Sequence, residues 1–233
     1  MLQDLLRENK GANLDSLIGG MSTGIIRLRG IVDDMIDVSM IDNDLLRLNY
    51  QPMQITTMMD ALSYEFETAF RNRNLSLVRK EFEGNRQWIY ADSVRLSQAF
   101  RNLINNAIKY TPDGGTVTID GKTLSGFIDV TVTDTGIGIA PENQTTIFEK
   151  FGQLGRVELH SSGKTKFKGG GPGLGLPIAR GILEAHGGSV WVDSPGHDET
   201  TCPGSIFHVM IPIRIESPDP NITKIFDNLG KKK

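Results

Sequence analysis

The sequence predicts an α+β protein, a mixed sheet with helices packed on one face, preceded by the remnant of a helical hairpin. Three observations predict it. A long stretch near the amino terminus repeats apolar residues at intervals of three and four, and two later stretches carry helical spacing with recognisable ends. Between and after them run short segments that alternate by twos and are bounded by glycine, proline or asparagine.

The first stretch reads Leu14, Leu17, Met21, Gly24, Leu28, Ile31, Met35 and Val38, a heptad-like seam widened by Ile18, Ile25 and Val32. That breadth predicts a helix buried in a bundle, although Gly19, Gly20, Gly24 and Gly30 each lower helix propensity. MLQDLLRENK reads as the last turns of a preceding helix, joined through KGAN. DLLRLNYQP predicts a strand ending at Pro52, and Ile55, Met58, Met59, Leu62, Phe66, Ala69 and Phe70 predict a helix. Two short strands, LSLVRKEF and RQWIYAD, precede a helix from the N-cap Asp92 to Tyr110, closed by TPDGG. The hairpin GTVTIDGKTLSGFIDVTVTD follows. Residues 152–172, rich in Gly, Lys and Ser without periodicity, predict a loop. A helix ending at HGG and the strands SVWVDS and SIFHVMIPI complete the fold, and the tail ESPDPNITKIFDNLGKKK has no assigned place.

Bulk composition narrows the function. The 233 residues are 38% hydrophobic and 23% charged with a formal charge of -3, so the chain lacks the basic footprint of a nucleic-acid binder. One cysteine, Cys202, excludes an internal disulfide and thiolate metal clusters. No window has the roughly 18 apolar residues that span a bilayer, and the amino terminus lacks a signal pattern.

Four places can carry chemistry. In FIDVTVTDTGIGI the alternation Ile128, Val130, Val132 puts Asp134 on the core-facing side and then meets two glycines. A strand-end cap explains such an Asp. A carboxylate accepting from an exocyclic amine, with Gly136 and Gly138 letting a flat ligand approach the backbone, explains it as well, and adenine offers that amine. In the 92–110 helix Gln98, Asn102, Asn106 and Lys109 share a face opposite Leu96, Phe100, Leu103 and Ala107. The alternative is a solvated face, but three asparagines are poor helix formers, and amide oxygens can ligate Mg2+ while a lysine meets phosphate. In GGGPGLGLPIARG, Pro177 belongs in the first turn of a helix, which sets Gly171, Gly173 and Gly175 at its amino terminus, either as an anion site or as a hinge. Phe148 and Phe151 in IFEKF are core residues or the anchor of a lid. Neither a dinucleotide fingerprint nor a P-loop fits: Glu158 stands where GKT at 163–165 would need a glycine.

In this order NLINNAIKYT, DTGIGI, IFEKFGQ and GPGLGL resemble the N, G1, F and G2 boxes of sensor histidine kinases, within the GHKL ATPase class that includes gyrase and Hsp90. The resemblance covers about residues 48–213 and implies a two-layer α/β sandwich of the Bergerat type. It implies 1–47 as a partial dimerisation and phosphotransfer hairpin, 48–215 as the ATP-binding catalytic domain and 216–233 as a tail without a role. It further implies ATP and Mg2+ as cofactors, with Asn102 and Asn106 in the N box, Asn106 as Mg2+ ligand, and Lys109 and Tyr110 lining the nucleotide. By the same resemblance Asp134 recognises adenine, Gly136 and Gly138 form the G1 backbone, Phe148 belongs to the F box beside the nucleotide, and Gly171, Gly173, Leu174 and Gly175 hold phosphate.

The family's phosphoacceptor is a histidine on the first helix of the hairpin, followed by an acid and shortly by a proline, and none of His160, His186, His197 and His208 has that context. The chain is therefore expected to be a fragment beginning just after it. Gly152 and Gln153 stand where relatives often carry a basic residue. The implied partners are a second copy in the parent protein and a response-regulator receiver domain, with no nucleic acid. The implied location is cytoplasmic, any membrane attachment coming through upstream regions. Two other readings are a conformational ATPase clamp, disfavoured because no acid stands near Gln98, and a regulatory module that has lost nucleotide binding, disfavoured by the intact boxes.

Overall fold

The computed structural model describes residues 2–150, 167 and 172–218, with side chains from residue 18 onward. In chain order the elements are α1 (Leu2–Asp42), β1 (Gln51–Met53), α2 (Ile55–Asn72), β2 (Ser76–Arg79), β3 (Ile89–Ala91), α3 (Ser93–Tyr110), β4 (Thr116–Leu124), β5 (Phe127–Asp134), α4 (Gly175–Ala185), β6 (Ser189–Asp193) and β7 (Ser205–Pro212). The main sheet has the order β2-β4-β5-β7-β6. The β2–β4 pair is parallel and the rest antiparallel, which makes the sheet mixed as expected. β1 and β3 form a separate antiparallel pair.

One face of the sheet packs on the helices. Val117, Ile119, Ile128, Val130, Val132, Phe207, Val209 and Ile211 alternate inward and meet buried residues of α2, α3 and α4 in one core. The helices bury the faces their periodicity predicts: Leu96, Phe100, Leu103 and Ala107 on α3, and Ile178, Ile182 and Leu183 on α4. Asp92 caps α3 as expected, its Oδ1 accepting from the N–H groups of Val94 at 3.1 Å and Arg95 at 3.0 Å. The other face of the sheet holds a buried carboxylate, Asp129. It meets His208 Nδ1 at 3.2 Å, His208 Nε2 lies 3.3 Å from Asp193, and the Trp191 ring stacks on the imidazole.

The structure departs from the sequence reading in several places. Helix α1 runs unbroken through Lys10–Asn13, so the joint expected at KGAN is absent. Helix cooperativity carries the backbone through a weak glycine signal there. Most of the heptad seam among the described residues is uncovered in the chain: Met21 is 68% and Leu28 63% exposed, while Val38 and the neighbouring Ile41 pack on the core. The strand expected over DLLRLNYQP shrinks to three residues, and Thr146–Phe148 of the IFEKF region is one 3-10 turn. Phe151, most of the 152–172 loop and residues 219–233 lie outside the described residues.

The carboxyl-terminal end of α1 docks on the rest of the fold. Asp37 is buried, paired with Arg95 of α3 at 2.7 Å and accepting from the Gln98 amide. Lys150 pairs with Asp42, and the Ile41 side chain occupies the space beside Gly181, where a Cβ would come within 2.8 Å of Ile41 Cδ1.

Candidate nucleotide site

Asp134 ends β5 on the inward face, in line with Ile128, Val130 and Val132, which are fully buried, and is itself 5% exposed. Its Oδ1 accepts from Gly136 N–H at 2.8 Å. Burial pushes the carboxyl up to about 7, and the backbone N–H groups of Gly136 and Ser205 pull it back only in part. A carboxylate in this state gains from any donor that reaches it.

The two glycines after it fit without room to spare. A Cβ on Gly136 would lie 2.6 Å from Asp134 Oδ1 and inside 3.0 Å of the Tyr110 carbonyl oxygen. Ile137 N–H donates to that same carbonyl at 3.1 Å, so the turn after β5 rests on the end of α3. Gly138 has φ 71°, and a Cβ there would lie 2.7 Å from Pro203 Cγ. The structure thus brings Asp134, Gly136 and Tyr110 together.

Asn102, Asn106, Lys109 and Tyr110 are half-buried on one flank of α3, while the apolar residues face the core. Asn102 approaches the amino terminus of α4: a Cβ on Gly175 would lie 3.4 Å from its Cγ. Its Nδ2 is buried without a hydrogen-bond partner, and so is the hydroxyl of Thr111 after α3. The Lys109 ammonium sits 4.7 Å over the Tyr110 ring. At α4, Gly173 has φ 72°, Leu174 is buried and among the described residues no side chain caps the helix, which leaves first-turn N–H groups for an anion. Pro177 is the third residue of α4, in the first turn as expected. Gly171 lies outside the described residues. Phe148 is in the core, edge-on to Phe207 at 6.3 Å.

Sequence periodicity missed several residues that hold this arrangement. Arg73, just past α2, donates to the carbonyls of Ile108 at 3.1 Å and Thr111 at 2.8 Å and pairs with Asp113. It thereby ties down the last turn of α3, and its guanidinium lies 5.7 Å from the Phe167 ring. Ser194, Gln144 and Gly204 hold the turn after Asp134 from the other side. Of the three described histidines, two are held within the fold. His186 is buried, its Nδ1 2.8 Å from the Ile182 carbonyl and its Nε2 accepting from Asp92 N–H at 3.1 Å; His208 is on the far face of the sheet; and His197 is an exposed loop residue. Among the described residues no group of three or more His, Cys, Asp or Glu side chains could hold a metal.

Comparison with known proteins shows the family and the fold. Residues 91–215 match the histidine kinase-, DNA gyrase B- and HSP90-like ATPase family. A relative, histidine kinase P4 of Formosa agariphila, is 30% identical over 91% of this chain, which spans 15% of that protein's length. Two solved structures share the fold: full-length ShkA in complex with AMPPNP, and histidine kinase ThkA in complex with the response regulator protein TrrA. ShkA aligns with a TM-score of 0.67 at 24% identity over 82% of this chain and 36% of that one. ThkA aligns with a TM-score of 0.59 at 22% identity over 82% of this chain and 49% of that one. With its mixed sheet, inward Asp134 and matched profile, the chain belongs to the histidine kinase-, DNA gyrase B- and HSP90-like ATPases.

Proposed function

We propose that this chain is the ATP-binding catalytic part of a two-component sensor histidine kinase and serves phosphoryl transfer to a histidine outside it. The observation that carries this is the inward Asp134 beside the Gly136 turn, seated on the end of the amide-bearing helix α3. The residues present fit an adenine nucleotide. Asp134 would accept from the exocyclic amine, Gly136 and Gly138 let the turn beside it close on the end of α3 and on the β6–β7 loop, and the buried unpartnered groups of Asn102 and Thr111 are polar atoms awaiting a polar ligand. Lys109 and the uncapped amino terminus of α4 with Gly173, Leu174 and Gly175 hold phosphate charge. Asn106 is the proposed Mg2+ ligand. One neutral amide suits an ion that keeps most of its shell as phosphate and water oxygens.

Transfer of a phosphoryl group needs alignment and charge neutralisation more than covalent chemistry from the protein. When bound, Mg2+ supplies part of that neutralisation. Asp134 and the glycines fix the base, α3 and α4 fix the phosphates, and the acceptor histidine comes from elsewhere: His186 and His208 are committed to structure, and His197 lies in the exposed loop between β6 and β7 rather than on a helix. The proposed partners follow: a second copy covering the exposed apolar residues Ile18, Met21, Ile25 and Leu28 of α1 in the parent protein, and a response-regulator receiver domain. The proposed domain division is 1–47, 48–215 and 216–233.

The test is a titration of the chain and of Asp134→Asn with Mg-ATP. The wild type is expected to bind and the variant to lose at least about tenfold in affinity. Equal affinity removes the site. The chain alone is expected not to autophosphorylate, and to donate to an added acceptor domain.

A further inference from the structure

The turn that carries Gly136 and Gly138 is not self-supporting. On one side it rests on α3, through Ile137 N–H and the Tyr110 carbonyl. On the other it is stitched to the loop between β6 and β7, and the knot of that seam is one hydroxyl. Ser194 Oγ accepts from Ile139 N–H at 2.9 Å and faces the carbonyls of Gly204 at 2.7 Å and Gly196 at 3.1 Å, to which its single proton can go. Gln144 reinforces the knot, its Nε2 donating to Ser194 O at 2.7 Å and Ile139 O at 3.0 Å. Two backbone bonds complete the seam, Gly204 N–H to Gly136 O and Asp198 N–H to Ile137 O, each at 2.8 Å. Gly204 has φ 77°, and a Cβ there would come inside 3.0 Å of the Asp134 carbonyl, so the loop presses directly on the residue that carries the carboxylate.

We infer that Ser194, with Gln144, is a positioning residue for base recognition: it sets the height of the Gly136–Gly138 turn, and so of the Asp134 carboxyl, against the end of α3. This rests on the adenine-nucleotide reading of the site and extends it to residues that touch no ligand. The geometry limits where adjustment can occur. Gly136 is already in contact with Tyr110 and Asp134, so the α3 side of the turn cannot move inward. The β6–β7 side is held by side-chain hydrogen bonds between segments about 50 residues apart, whose loss lets the turn relax outward. The base end of the ligand should feel this and the phosphate end should not, because α4 and Lys109 belong to other elements.

The experiment measures binding of Mg-ATP, Mg-ADP and Mg-tripolyphosphate to wild type, Ser194→Ala, Ser194→Thr and Gln144→Ala, with amide exchange at Ile139 as a structural readout. For Ser194→Ala the two adenine nucleotides should weaken by about tenfold, the size of one lost positioning hydrogen bond. Tripolyphosphate affinity should stay within about twofold and Ile139 exchange should speed up. Ser194→Thr, which keeps the hydroxyl, should stay close to wild type, and Gln144→Ala should follow Ser194→Ala, deciding the matter if the latter fails to fold. Adenine-nucleotide affinities unchanged in both alanine variants, or an equal loss for tripolyphosphate, overturn the inference. A wild-type chain that binds tripolyphosphate but shows no preference for ATP overturns instead the reading of Asp134 on which it rests.

Discussion

Asp134→Asn should stabilise the ligand-free fold while destroying its function, with a pH signature that identifies the cause. The carboxyl is 5% exposed and raised from 3.8 to about 7 by burial. A raised acid contributes its stability below pH 3.8, where folded and unfolded chains are both protonated, and loses it as pH rises toward about 7, because the unfolded chain ionises first. Each pH unit between the two values is worth about 1.4 kcal/mol, which sets a ceiling of about 4 kcal/mol on the penalty carried above pH 7. Asparagine does not ionise and retains an oxygen for Gly136 N–H, so the variant escapes most of this penalty. Allowing for an imperfectly seated amide, we expect Asp134→Asn to be about 1–3 kcal/mol more stable than wild type at pH 8, with the gap closing by pH 4. Urea unfolding across that range measures it. A difference between the two proteins that does not vary with pH would refute the account of Asp134 as a carboxylate held out of water for a ligand.

Three further outcomes can be checked on the same protein. Gly136→Ala forces a methyl against Tyr110 O and Asp134 Oδ1, and should cost about 1–3 kcal/mol in thermal unfolding and abolish measurable ATP binding. Burial holds the His186 imidazole below its usual value of 6.5, so the stability it contributes is present above pH 6.5 and lost as pH falls through its folded value. His186→Gln should remove that acid-side loss, read as the difference from wild type because Asp134 slopes the opposite way. For the Asp37–Arg95 pair, a double-mutant cycle with alanine in urea unfolding should give a coupling of about 1 kcal/mol or more, and a value near zero would mean that this pair does not hold α1.

Much of this architecture is legible in the sequence because its signals are local. Asp92 and the 3.6-residue spacing after it announce α3, and the alternation ending at Asp134 announces both β5 and the acid that breaks its pattern. The glycines of α1 misled the reading, suggesting weakness where Gly19, Gly20 and Gly24 are simply carried by a long helix, with nothing within 4 Å of a built Cβ. Arg73, Ser194 and Gln144 were illegible for a different reason. Each reaches a backbone group 35 or more residues away, and no period in the chain encodes such a bond. Asp37 likewise reads as an ordinary polar position on a helix until Arg95 arrives from a distant segment.

The long amino-terminal helix has a mechanical consequence. Its described side chains are exposed as far as Arg29, and burial begins near Gly30, close to the root where Asp37 and Ile41 grip the body. At 1.5 Å per residue the exposed stretch from Ile18 to Arg29 is a rod of about 18 Å, so a tilt of about 10° at its root sweeps the tip of this stretch, at Ile18, through roughly 3 Å. Run in reverse, the same ratio means that a large push at the tip reaches the base of the rod as a small rotation delivered with high leverage. It arrives where the rod touches the two helices that flank the proposed phosphate site.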